Sequence, residues 1–144
     1  MLDKDAMRTG YRGLILTIDD VKYVRMMVRK SLEPIGFRIV EAEDGWEAEK
    51  VMEECRGAIQ LILCDIVMPG QDGITTLSNI RAKGFKTPVI MLSANSHRKN
   101  LWACYRLGIS GFVTKPFDRG SLRAKVLKVL SEEAGKTAQP ARTG

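Results

Sequence analysis

The sequence has little of what builds extracellular frameworks or histidine-rich metal clusters. Its three cysteines, Cys55, Cys64 and Cys104, are odd in number and show no CxxC spacing, which argues against a disulfide framework or a zinc site. They suit a reducing compartment as small buried hydrophobes, so the expected location is cytoplasmic. One histidine, His97, excludes a cluster of histidine ligands or an internal relay of several phosphohistidines. The longest apolar runs, at 13–18 and 61–64, fall far short of the roughly 20 residues that span a bilayer. Residues 1–13 are polar and charged, unlike a secretory signal. Aromatics are 6% of the chain and do not interleave with the basic residues, so no platform for stacking bases is expected.

What is present is a chain of 144 residues, 44% hydrophobic and 28% charged, with a net charge of +6. That is enough for one domain with a real core. The charge is uneven. Residues 1–93 hold 13 Lys/Arg against 14 Asp/Glu, whereas 94–134 hold 8 against 3. A basic last third is either a solvated helix face or a surface for an acidic partner.

Between a loose extension at 1–12 and a disordered tail at 134–144, apolar runs alternate with helical periodicity. Residues 14–18 form an apolar run that ends in Asp19 and Asp20, and Val21, Val24, Val28, Leu32 and Ile35 then recur at helical spacing. Further runs at 37–40, 59–64, 88–92 and 110–114 are each followed by a helical pattern. Five short strands without polar alternation, each followed by an amphipathic helix, predict a parallel sheet covered on both faces over residues 13–133, a three-layer α/β fold.

In such a sheet ligands sit beyond the carboxyl ends of the strands. Those ends carry Asp19 and Asp20, Asp65, Ser93 and Lys115. Crowded carboxylates raise one another's pKa unless a cation intervenes, and a hard divalent ion such as Mg²⁺ answers that demand. Lys115 and Ser93 add a positive charge and a hydroxyl donor suited to phosphoryl oxygens. The set therefore fits phosphoryl transfer to a carboxylate, with Asp65 as acceptor and the acidic pair on the metal. Taken singly, Asp19-Asp20 reads as a helix cap, Ser93 as another, Asp65 as a turn residue and Lys115 as surface. Their joint placement on one rim is what carries the chemistry.

The set Asp19-Asp20, Asp65-Ile66-Val67-Met68-Pro69-Gly70-Gln71-Asp72-Gly73, Ser93-Ala94 and Lys115-Pro116-Phe117 closely resembles the receiver domain of two-component response regulators. It looks most like the stand-alone, chemotaxis-type (CheY-like) members, and the resemblance covers residues 13–132. It implies a doubly wound, flavodoxin/CheY-like sheet of strand order 2-1-3-4-5. It also implies that Asp65 is phosphorylated, with Asp20, Asp65 and the Val67 backbone carbonyl on Mg²⁺ and Asp19 acting mainly through water. Ser93 and Lys115 would bind the phosphoryl oxygens, Phe112 would be the switch aromatic that follows Ser93, and Lys115–Pro116 would be cis.

The function this implies is a phosphoprotein, not itself an enzyme, fed by a histidine kinase or a phosphotransfer protein. Its output would be protein contact on the face of the fourth helix, fifth strand and fifth helix. Arg98, Lys99, Arg106, Arg119, Arg123, Lys125 and Lys128, with Trp102, suit an acidic partner there. The chain left after residue 133 is too short for an output domain. Alternatives are a phosphorelay intermediate and a basic nucleic-acid or scaffold-binding module. No recognition helix supports nucleic acid, and no membrane partner is expected. Val67 and Asn95 stand where polar and acidic side chains are frequent in the family, so slow self-dephosphorylation is expected relative to a Val67→Asn variant.

Overall fold

The computed structural model describes residues 11–94 and 99–138. The expectations for residues 1–10 and 139–144, and for Asn95, His97 and Arg98, lie outside the described residues. Strands β1 (Gly13–Ile18), β2 (Phe37–Ala42), β3 (Ile59–Asp65), β4 (Val89–Ala94) and β5 (Gly111–Lys115) alternate with helices α1 (Lys22–Leu32), α2 (Gly45–Glu54), α3 (Gly73–Ala82), α4 (Leu101–Arg106) and α5 (Arg119–Ala138). The strands pair in parallel in the order β2-β1-β3-β4-β5. This is the doubly wound α/β fold expected from the sequence.

Strands β1 and β4 are buried at nearly every position, which is why their sequences do not alternate. Successive side chains still point to opposite faces, and they separate two cores. On one face Leu16, Ile18, Ile62 and Met91 pack with Met52, Leu77, Ile80 and Cys104 from α2, α3 and α4. On the other, Ile15, Leu63, Ile90 and Leu92 pack with Val28 and Leu32 of α1 and with Leu122, Val126 and Val129 of α5. Aspartates start three of the helices. The carboxylates of Asp44, Asp72 and Asp118 accept from the amides of Glu47, Thr75 and Ser121 at 2.8, 2.7 and 2.7 Å, satisfying amides that have no partner within the helix.

Two boundaries differ from the sequence reading. The pattern running to Ile35 breaks at Leu32, and Glu33–Ile35 form a 3₁₀ turn. Pro34 has no amide to continue the ladder, and Gly36, at φ +105°, closes the turn by donating to the Glu33 carbonyl at 3.0 Å. At the other end α5 passes the expected limit at 133 and runs through Gly135 to Ala138. The apolar periodicity stops at Leu130, but a lone glycine costs only about 1 kcal/mol in a helix, and the next proline in the sequence is Pro140. Among the described residues no helix is long and apolar enough to cross a membrane.

Candidate functional site

The strand order reverses between β1 and β3, which lie side by side with β2 and β4 outside them. Chain leaving those two strands therefore diverges, opening a crevice at their carboxyl ends. Asp19 and Asp20 follow β1, and Asp65 ends β3. One carboxylate oxygen from each of the three lies within 4.8 Å of the others. Asp19 is fully buried, Asp65 nearly so, and Asp20 exposed.

Lys115, the last residue of β5, reaches across β4 into this cluster. Its Nζ lies 2.8 Å from Asp19 Oδ2 and 3.3 Å from Asp65 Oδ2. Val67 N–H donates to Asp65 Oδ1 at 3.3 Å, and Val21 N–H donates to Asp19 Oδ1 at 2.9 Å. Burial, reinforced by the charge of Asp19, lifts the Asp65 carboxyl from 3.8 to about 6, although Lys115 pulls the other way. Burial alone would lower the Lys115 ammonium, but its contacts with Asp19 and Asp65 raise it. Among the described residues Lys115 is the cation in contact with these carboxylates, and it does not fully offset them. Cys64, buried beside Asp65, is held as a thiol by burial first and by that neighbouring charge second.

Leu92 pairs with Asp65 across the sheet, so Ser93 stands one residue beyond it on the next strand. Ser93 is buried, and its hydroxyl donates to the Ala94 carbonyl at 3.0 Å. On β5, Phe112 is half-buried and lines a cavity of about 250 Å³ with Leu101, Trp102 and Tyr105 of α4. The Lys115–Pro116 peptide is cis.

Two features escape the sequence reading. Arg25 sits inside the apolar pattern of α1, yet it is buried and donates to the Asp19 carbonyl at 2.7 Å and to Glu41 Oε1 at 2.7 Å. It fixes the backbone from which the acidic pair projects, and the charged Glu41, next to last in β2, is the trace it leaves in the sequence. Gln71, in the connection after β3, is buried and bonded to Glu49 of α2. Of the basic residues assigned to one face, Arg123 instead turns toward α1 and donates to the Ser31 carbonyl at 2.6 Å.

The model of the response regulator receiver domain matches residues 15–127. The chain belongs to that family. Chemotaxis protein CheY-3 of Vibrio cholerae is 34% identical over 119 residues, which cover 81% of this chain and 90% of that protein. The transcriptional regulatory protein ResD of Bacillus subtilis is 36% identical over 124 residues, covering 86% of this chain but only 50% of ResD. Among solved structures, CheY in the CheX-CheY-BeF3-Mg²⁺ complex from Borrelia burgdorferi superposes with a TM-score of 0.78 at 32% identity, covering 85% of this chain and 92% of that one. Vibrio cholerae CheY4 gives 0.75 at 26% identity, over 81% and 98%. The receiver domain is accordingly a CheY-like signalling module of the two-component systems, and its acidic crevice lies where the doubly wound fold places ligands.

Proposed function

We propose that Asp65 accepts a phosphoryl group from the phosphohistidine of a kinase or phosphotransfer protein. The observation that carries this reading is the Asp65 carboxyl at the end of β3, inside a cluster of three carboxylates and in contact with Lys115. A carboxylate oxygen attacks phosphorus, the O–P bond forms as the P–N bond breaks, and the leaving imidazole takes a proton from solvent. Lys115, already 3.3 Å from Asp65, follows the new charge of about −1.5 to −2.

Three clustered acidic side chains, two of them in contact with the Lys115 ammonium, fit a hard divalent cation, and oxygen donors suit Mg²⁺. Asp20, Asp65 and the Val67 carbonyl would hold it, with Asp19 fixed by Lys115 behind them. Bound there, Mg²⁺ supplies positive charge to the carboxylates and to the transferring phosphoryl oxygens.

Ser93 gives up the Ala94 carbonyl to donate to the phosphoryl group, and Phe112 turns into the space this opens. The face of α4, β5 and α5 then changes shape and is read by a protein partner. Exposed Lys99, Arg106, Arg119 and Lys128 favour an acidic partner surface there. The protein acts in the cytoplasm and catalyses no reaction on a separate substrate. Val67 presents an apolar side chain at the crevice lip, which leaves hydrolytic water unoriented. Val67→Asn should shorten the phosphoryl lifetime several-fold, about 1 kcal/mol in barrier, measured as decay of the phosphorylated protein.

Intact mass after incubation with acetyl phosphate, with and without Mg²⁺, tests the proposal. A phosphoryl adduct that requires Mg²⁺ and is lost in Asp65→Asn is expected. An adduct retained in that variant overturns the assignment of Asp65. Onward transfer to a second histidine protein would instead favour a relay role.

A further inference from the structure

The connection between β3 and α3, residues 66–72, carries the Val67 carbonyl and lies directly against α2. Its neck is closed by Gly73 N–H donating to the Ile66 carbonyl at 2.8 Å. Beyond the neck it has two inward anchors. Met68 is an apolar one, 5% exposed. Gln71 is a polar one, and its amide donates to Glu49 Oε2 at 2.5 Å and to Thr76 Oγ1 at 3.1 Å.

Glu49 is also bonded by Asn79 Nδ2 at 3.0 Å and paired with Lys83 at 3.0 Å. Burial works against its charge, but these three partners together hold its carboxyl below the usual range. The packing leaves no slack. A Cβ on Gly45 would fall 2.0 Å from Thr76 Oγ1 and 2.5 Å from Gln71 Nε2. Gly70, at φ +77°, lies under the ring of Trp46, where a Cβ would meet ring carbons at 2.7 and 2.9 Å.

A half-buried carboxylate between two helices is a costly way to gain stability, since apolar residues of similar volume often do as well. What it does provide is direction: the donors from Gln71 and Asn79 converge on a single oxygen. We infer that the Glu49–Gln71 bond is a positioning latch for the phosphoacceptor loop, setting where the Val67 carbonyl stands and hence how tightly the site binds Mg²⁺. Gln71 and Glu49 touch neither the metal nor the phosphoryl group. They act through the three residues between Val67 and Gln71, Met68, Pro69 and Gly70, of which Gly70 is the pivot once the latch is cut. The inference rests on the reading of Asp65 and Val67 given above.

The test is calorimetric titration of Mg²⁺ into the full chain and its variants, together with amide exchange of residues 67–71 in metal-free buffer. Gln71→Met keeps side-chain length and removes the donors. It should weaken Mg²⁺ about tenfold, the usual scale for losing a residue that orients a metal ligand, and speed exchange across the loop. Glu49→Ala cuts the same bond from the other side and should reproduce both effects. Val129→Ala destabilises the far core without touching the loop, and Mg²⁺ affinity there should stay within about twofold. Wild-type affinity and wild-type exchange in both latch variants would overturn the inference. An affinity loss matched by Val129→Ala would do so as well, because general destabilisation would then explain it. Failure of the wild type to bind Mg²⁺ at all would instead overturn the phosphoacceptor reading, and the latch with it.

Discussion

The two flanks of the crevice are held in different ways. On the β1 side, α1 is tied down by charge. Arg25, 6% exposed, bonds Asp19 and Glu41, Arg29 bonds Glu41 and pairs with Glu33, and Arg123 crosses from α5 to the Ser31 carbonyl. On the β5 side, α4 is six residues long and buries only Leu101 and Cys104. Trp102 and Tyr105 are 78% and 50% exposed. A helix that short does not form by itself, so its order comes from those two side chains and from Arg81, which donates to the Leu107 and Gly108 carbonyls at 3.0 and 3.2 Å. Resistance to local opening follows buried contact. The half that carries the acids is therefore fixed before any ligand arrives. The half behind Ser93 and Phe112 is where rearrangement costs least.

The largest effect should come from breaking the fixed half. Arg25→Ala strips Glu41 of a partner and leaves the Asp19 carbonyl without its buried donor, a penalty of about 2–3 kcal/mol. Urea denaturation would measure it, and a loss under about 1 kcal/mol would show that solvent replaces the arginine and that the flank is not pinned as described.

Next in size is an effect of opposite sign at Asp65. Its carboxyl titrates near 6 in the fold against 3.8 unfolded, so between those values the folded chain binds more protons than the unfolded one. Stability must fall as pH rises from about 4 to 6, by at most about 3 kcal/mol. Asp65→Asn carries no such penalty but also loses attraction to Lys115. We expect it to exceed the wild type by about 1–2 kcal/mol at pH 7.5 without Mg²⁺, with the gap closing at pH 3.5. Added Mg²⁺ should narrow the gap by binding the wild type alone. A gap that is constant from pH 3.5 to 7.5 would contradict the electrostatic origin.

Most of this site is legible in the sequence because the fold puts strand ends together. Asp19, Asp20, Asp65 and Lys115 need no tertiary information beyond strand order to be placed on one rim. Arg25 is not legible in that way. Its position in the Val21, Val24, Val28 pattern is indistinguishable from that of a solvated helix residue until β2 brings Glu41 beside it. Gln71 is hidden for a related reason, since a glutamine in a loop normally faces water, and only the approach of α2 at Gly45 turns it inward. The end of α5 is illegible for another reason: apolar periodicity reports burial, and the helix continues past Val129, its last buried residue among the described side chains.

The smallest effect should come from the lightly held half, and it is the sharper test because little is expected. Trp102 is the largest side chain of α4, and on composition alone it could anchor the helix. It is instead 78% exposed and contributes one wall of a shallow cavity beside Phe112. Removing exposed surface returns little apolar area to water, so Trp102→Ala should change unfolding free energy by no more than about 0.5 kcal/mol. Urea denaturation of the variant beside Arg25→Ala gives the comparison directly. A loss of about 2 kcal/mol or more would mean that the indole packs as firmly as the arginine on the opposite flank. The two halves of the rim would then be equally braced, and α4 would no longer be the place where a phosphoryl group most easily changes the surface.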